Sequence, residues 1–155
     1  MSTLNQDDSK NGVNSVHFNP HDSNIVAVGC SDANGQVNVH DIRSIYKPIL
    51  TFNHADFNVN EHVSKDNSIS KVQWNPFNPN ILLSAGMDDG LVKVWDIVSE
   101  NEYKEKLLFT HGGHMLGVTD CTWDLFDPWT VASCSFDNSM HVWKPSKRQL
   151  QEYYK

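Results

Sequence analysis

The 155-residue chain has no apolar run approaching the roughly 18 residues that a bilayer-spanning helix requires. Its opening, MSTLNQDDSKNG, lacks both the basic start and the apolar segment of a secretory signal. Cysteine is scarce. Cys30, Cys121 and Cys134 are odd in number and form no CxxC pair, so reduced, buried thiols are expected rather than a disulfide framework. Basic charge is also short, with 12 Lys and Arg against 19 Asp and Glu and a net charge of −7. That balance argues against a phosphate-neutralising nucleic-acid face and suits a basic partner. What is present, 39% hydrophobic residues and five tryptophans, points to a folded chain.

Three segments align with one another: VNSVHFNPHDSNIVAVGCSDANGQVNVHDIR, ISKVQWNPFNPNILLSAGMDDGLVKVWDIV and VTDCTWDLFDPWTVASCSFDNSMHVWKP. An aromatic closes the first apolar run of each, at Phe18, Trp74 and Trp123. An aspartate follows the second run, at Asp32, Asp88 and Asp137. At both anchors the second unit trails the first by 56 residues and the third trails the second by 49. Two independent anchors at matching offsets establish a repeat. Within the second unit, β-branched and aromatic runs predict strands near 69–74, 81–87, 91–96 and 106–110, with NPFNPN and MDDG as turns. Alternation places Leu91, Lys93 and Trp95 on one face and Val92, Val94 and Asp96 on the other. Short antiparallel strands, four to a unit and repeated, are the signature of propeller blades. The expected blades span 12–53, 69–110 and 114–145, after a flexible segment 1–11 and before a C-terminal helix or tail over 146–155.

Candidate chemistry is thin. HGGH brackets two glycines with His111 and His114, but zinc wants three or four ligands, and no further His or Cys pair has motif spacing. No metal and no other cofactor is therefore expected, and a metal-dependent hydrolase serves only as a contrast. There is no GxSxG, and GMDDG lacks the spaced ligands of a calcium loop, so it is read as a tight turn. An enzyme is not expected.

VKVWDI at 92–97 contains a Trp-Asp dipeptide, with VNVHDI and MHVWKP as its degenerate forms, and the chain resembles the WD-repeat β-propellers over roughly 12–145. The resemblance implies an all-β fold of about three four-stranded blades, an open arc of a seven-bladed ring. It also implies a hydrogen-bonded tetrad in each regular blade: His114, Ser133, Asp137 and Trp143 in the third, and Ser84, Asp88 and Trp95 with His54 in the second, His62 being the rival histidine. The first unit has Ser9 at the histidine position and His40 in place of the tryptophan. Offsetting the desolvation of a carboxylate in a tight turn is the physical purpose of such a set.

LLFTHGGH (107–114), DPWTVAS (127–133) and the DN at 137–138 narrow the resemblance to the retinoblastoma-associated, histone-binding WD-repeat proteins. These supply the small subunit of chromatin assembly factor and of histone acetyltransferase and deacetylase complexes. The resemblance implies a non-catalytic nuclear protein, found also in the cytoplasm. Its partners would be histones of the central tetramer and other complex subunits, with no direct nucleic-acid or membrane contact. A histone-four helix would lie beside the loop 99–106, with Leu108 and Phe109 as apolar wall, Glu102 and Glu105 pairing with basic residues, and Leu150 added from a short C-terminal helix. For Phe109, packing inside an outer strand is an equal alternative. Asn14 is retained at the propeller mouth, but Ser68 and Phe136 stand where the family has acids, which speaks against holding a histone-three tail. A general WD-repeat scaffold in ribosome assembly or trafficking is the alternative function. With three strands in its last blade and none of the family's fourth-strand sequence before Val13, the chain is expected to be the C-terminal portion of a longer protein, the alternatives being a fragment that completes its ring with another chain or a homodimer of half-rings.

Overall fold

Each repeat unit becomes a small antiparallel sheet in the computed structural model, which describes residues 12–31, 34–57, 67–99, 103–150 and 153. The first sheet contains β1 (Val13–Asn19), β2 (Asp22–Cys30), β3 (Gln36–Asp41) and β4 (Leu50–Asn53), hydrogen-bonded in chain order. The second contains β5 (Ile69–Trp74), β6 (Ile81–Gly86), β7 (Val92–Ser99) and β8 (Tyr103–His111). The third contains three strands, β9 (Val118–Trp123), β10 (Val131–Ser135) and β11 (Met140–Trp143). No helix among the described residues is long and apolar enough to cross a membrane.

Asparagine and aspartate make the first turn of every unit the same way. Asn19 Oδ1 accepts from His21 N, Asn75 Oδ1 from Phe77 N and Asn78 N, and Asp124 Oδ1 from Phe126 N and Asp127 N. The two asparagines also reach outward. Asn19 Nδ2 donates to Pro79 O and Asn75 Nδ2 to Pro128 O, each at 2.8 Å, tying one unit's turn to the next. The inner strands are joined similarly: Val72 N donates to Ser15 Oγ, Trp74 N to His17 Nδ1 and Trp123 N to Gln73 Oε1. Backbone donors on a sheet edge, otherwise open to pairing, are satisfied by side chains of the neighbouring unit.

The core consists of two layers between the sheets. Ile25, Ala27, Val37, Val39 and Phe52 of the first sheet meet Ile69, Val72, Trp74, Leu82 and Trp95 of the second. Ile81, Leu83, Val92 and Val94, on the second sheet's other face, meet Val118, Trp123, Trp129 and Val131 of the third. The middle sheet is thus covered on both faces, and every residue of β6 is buried. That is why ILLSAG is apolar throughout, without alternation. Close approach at the second layer requires glycine at 117, where a Cβ would fall 1.5 Å from the Met87 carbonyl oxygen.

The described part of 146–155, where a helix or tail is expected, makes tight turns, with Tyr153 in a 3-10 turn. Ser146 N and Oγ both donate to Gln149 Oε1, Gln149 N returns to Ser146 O, and Tyr153 N donates to Leu150 O. So short a segment cannot sustain a helix by its own hydrogen bonds, and packing decides its course. Leu150 is fully buried in the second layer, and Tyr153 packs edge-on to Trp129 with its hydroxyl bonded to Asp96 Oδ2.

Candidate functional site

His54, directly after β4, turns into the second sheet and is buried, as is Ser84 on β6. Ser84 Oγ lies 2.7 Å from both His54 Nδ1 and Trp95 Nε1. The carboxylate completing the set is Asp89, not Asp88: its Oδ2 lies 3.3 Å from His54 Nε2, and both side chains are inaccessible to solvent. Asp88 is exposed and instead accepts from Ser68 N. The reason is a one-residue difference in turn length. Six residues separate Asp89 from Trp95, as six separate Asp137 from Trp143, whereas Asp88 matches only when counted forward from the strand before it. Burial holds His54 below the ordinary histidine range despite Asp89, so the ring is neutral. A consistent chain then runs from Trp95 N–H to Ser84 Oγ and from Ser84 O–H to His54 Nδ1, with His54 Nε2 facing Asp89 across 3.3 Å. Of the sequence candidates, His62 lies outside the described residues, as do Asp32 and Ser9 of the first unit.

Lys93, two residues before Trp95, is also buried. Its Nζ donates to the His54 carbonyl oxygen and lies 5.8 Å from the Trp95 ring centroid. Burial lowers its pKa to about 8, against the opposing pull of Asp89 and Asp56.

In the third sheet His114 Nε2 lies 2.8 Å from Ser133 Oγ, and Trp143 Nε1 donates to the same oxygen at 3.1 Å. Asp137 Oδ2 stands 3.7 Å from His114 Nδ1 and accepts from Met115 N. Bonds from the Ser139 side chain and from Met115 N hold the Asp137 carboxyl well below the usual carboxylate range. In the first sheet, His40 is buried where Trp95 stands in the second, and Val28 stands where Ser84 does. Valine at that position has no hydroxyl to bond a neighbouring ring.

The segment expected as a loop over 99–106 is largely strand. Ser99 pairs with Tyr103, Val98 with Lys104, Ile97 with Glu105 and Asp96 with Lys106, so β7 and β8 continue as one long hairpin. Glu102 lies outside the described residues. Trp95 pairs with Leu107 but Val94 with Phe109, leaving Leu108 as the extra residue of a bulge. The bulge breaks the alternation. Leu107 packs against the first core layer, while Leu108 and Phe109 both pack, partly buried, against the second. Phe109 lies 5.4 Å, centroid to centroid, from Trp143. Glu105 is half-buried on the hairpin. Leu150, expected to extend an apolar wall for a partner, is fully enclosed in the core instead. Of the residues expected at a propeller mouth, Asn14 is exposed and donates to Ile69 O, Phe136 is exposed, and Ser68 is half-buried.

His111, at the end of β8, does not stand alone at an edge. Its ring stacks on Trp143 at 4.6 Å, and its Nε2 lies 3.0 Å from His141 Nδ1. His141 in turn stacks on His114, with centroids 4.1 Å apart. His141 escaped notice in the sequence, although it occupies the repeat position of Lys93, two residues before the tryptophan and facing the tetrad histidine.

The described surface includes open clefts. One is lined by Ser44, Lys47, Pro48, Ile49 and Tyr103, another by residues of β9, β10 and β11 including Cys121, Ser133 and Met140. Burial pushes the Cys121 thiol up to about 12, which leaves it protonated and a poor nucleophile.

Comparison with known proteins places these blades among their relatives. The profile of the WD40 family (WD domain, G-beta repeat) matches residues 2–41, 47–96 and 105–144. The chain is 43% identical to Histone-binding protein MSI1 of Saccharomyces cerevisiae over 143 residues, 92% of this chain and 30% of that protein. It is 28% identical to Histone acetyltransferase type B subunit 2 of Debaryomyces hansenii, covering 90% of this chain and 34% of that protein. Protein transport protein SEC31 of Chaetomium globosum is 32% identical across 86% of this chain and 9% of its own length. The chain thus spans about a third of the two chromatin-related proteins.

Proposed function

The chain belongs to the WD40, G-beta-repeat family, and we propose that it serves as a non-catalytic, histone-binding part of a chromatin-assembly or chromatin-modifying subunit. The observation that carries this reading is the 43% identity, over 92% of the chain, to a histone-binding protein. The similarity to a histone acetyltransferase subunit supports it, and a net charge of −7 complements basic histones. The work of such a module is nuclear, with passage through the cytoplasm, and its partners are histones and other subunits of the complex.

The contact surface in this reading is the β7–β8 hairpin. Leu108 and Phe109 leave part of their apolar surface uncovered beside the second core layer, and Glu105 lies further along the same strand for charge-assisted contact with arginine or lysine. A histone-four helix is the occupant this surface would take. The mouth, with Ser68 and Phe136 in place of acids, offers little to a histone-three tail. Immobilised histone-four helix peptide should retain the full chain. Glu105→Lys should weaken retention by at least about tenfold, equivalent to about 1.4 kcal/mol, with the fold intact by circular dichroism. Retention of wild type and Glu105→Lys alike, or of neither, would count against the assignment. The similarity to a transport protein favours a second reading, a WD-repeat scaffold outside chromatin. It predicts capture of trafficking components and no enrichment of histones.

A further inference from the structure

Three imidazoles converge where the second and third sheets meet. His111 ends β8 of the second sheet, while His114 and His141 belong to the third. One ring nitrogen of each lies within 4.8 Å of the other two. His111 Nε2 and His141 Nδ1 face each other at 3.0 Å, a spacing that two ligands of one ion can adopt at metal–nitrogen distances of about 2.0–2.1 Å.

Beside these two nitrogens sits Gly113, and a Cβ there would lie 2.9 Å from His111 Nε2, His111 Cε1 and His141 Nδ1. Gly113 is not among the residues with positive φ, so its backbone conformation does not demand glycine. What the glycine supplies is room next to the converging nitrogens. The rings are also braced from behind, as metal-binding histidines are: His111 lies flat on Trp143, and His114 Nε2 is bonded to Ser133 Oγ, while the 3.0 Å contact of His114 Nδ1 with Ser139 Oγ is the one an ion would displace.

We propose that His111 Nε2, His141 Nδ1 and His114 Nδ1 form a binding site for a divalent first-row transition ion such as Zn²⁺, which joins the outer strand of the second blade to the third. Three nitrogen donors, with neither thiolate nor carboxylate among them, suit zinc, copper or nickel and not magnesium or calcium. His114 and His141 stack nearly parallel, at 7°, and an ion cannot lie in both ring planes as they stand. Capture therefore turns the His141 ring about its Cβ–Cγ bond. The N–H···N contact between His111 and His141 gives way to two metal–nitrogen bonds, and the donating ring carries its proton on its other nitrogen. A water molecule would take the fourth position.

The test is calorimetric titration of the chelator-treated full chain with ZnCl₂, alongside thermal melts. We expect one Zn²⁺ per chain and a melting temperature that rises with zinc. His111→Gln and His141→Gln should each weaken binding at least tenfold. Gly113→Ala retains all three histidines and should also weaken binding, because its methyl group enters the site. Circular dichroism of each variant without metal checks that the fold persists. The proposal is overturned if the folded chain takes up no zinc, if these variants bind as wild type does, or if replacing the three cysteines by serine abolishes uptake.

Discussion

Asp89 and Asp88 are neighbours in sequence with unlike physical situations. Asp89 is sealed against His54 in a chain of polar groups that also includes Ser84 and Trp95, while Asp88 sits in solvent and holds one backbone N–H. Removing one member of a buried pair leaves its partner desolvated and uncompensated. Asp89→Ala should therefore cost about 3 kcal/mol in chemical denaturation, and Asp88→Ala about 1 kcal/mol or less. Equal costs would show that the carboxylates have been wrongly distinguished. The same pair sets a pH dependence. The folded-state pKa of His54 lies below its ordinary 6.5, so between those values the unfolded chain binds a proton that the folded chain does not. Stability is full above pH 6.5 and falls as pH drops below it. Asp89, lowered below its ordinary 3.8 because the His54 contacts outweigh the opposing effect of burial, acts in the same direction at lower pH. Melting temperatures measured from pH 7.5 down to pH 5 should decline, and His54→Gln should lessen that decline without abolishing it, because burial also lowers His17, His40, His111 and His114.

At the scale of elements, pairing and packing, more than local patterning, fix the β7–β8 hairpin and the described part of the C-terminal tail. Charged, polar SENEYKEK has the composition of a loop, yet it pairs residue for residue from Ser99–Tyr103 back to Asp96–Lys106. The tail SKRQLQEYYK has the composition of a helix, and its described part is anchored through single side chains. Leu150 is the principal anchor. Leu150→Ala should destabilise the chain by about 2–5 kcal/mol, the range for opening a cavity at a buried leucine. A surface contact for a partner would cost almost nothing in the free protein, so equilibrium denaturation separates the two roles directly. The bulge at Leu108 explains why the two readings of Phe109 need not exclude each other. Phe109 packs against Trp143 and yet remains partly uncovered, so it supports the core and still offers surface.

Over the whole molecule, the repeat serves as its own control. Val72 and Trp74 are buried between sheets, while their counterparts Val16 and Phe18 on β1 are 62% and 56% exposed. Val94 is buried, and its counterpart Val142 on β11 is 64% exposed. Identical chemistry is thus covered in the middle of the arc and open at both of its ends. Open apolar faces associate. The chain on its own should sediment as concentration-dependent oligomers, and Val16→Ser, Phe18→Ser and Val142→Ser together should shift it toward monomer. A wild-type monomer at high concentration would contradict this view of the two faces.

Strand placement, the repeat and the tetrad serines and tryptophans were legible in the sequence, because each depends on spacing within a few residues and on turn chemistry that acts locally. Matching offsets from Phe18 through Trp74 to Trp123 sufficed for the blades. Identifying Asp89 in place of Asp88 needed the length of one turn, and counting back six residues from the tryptophan would have found it. The enclosure of Leu150, the pairing of the charged hairpin and the meeting of His111 with His141 had no such local signal. The hairpin follows from backbone pairing within one sheet, whereas the other two depend on how one sheet lies on the next, which brings together residues 30 positions apart, as His111 and His141 are. Packing between sheets, where burial decides which side chains share a layer, determined these features, and no periodicity along the chain records it.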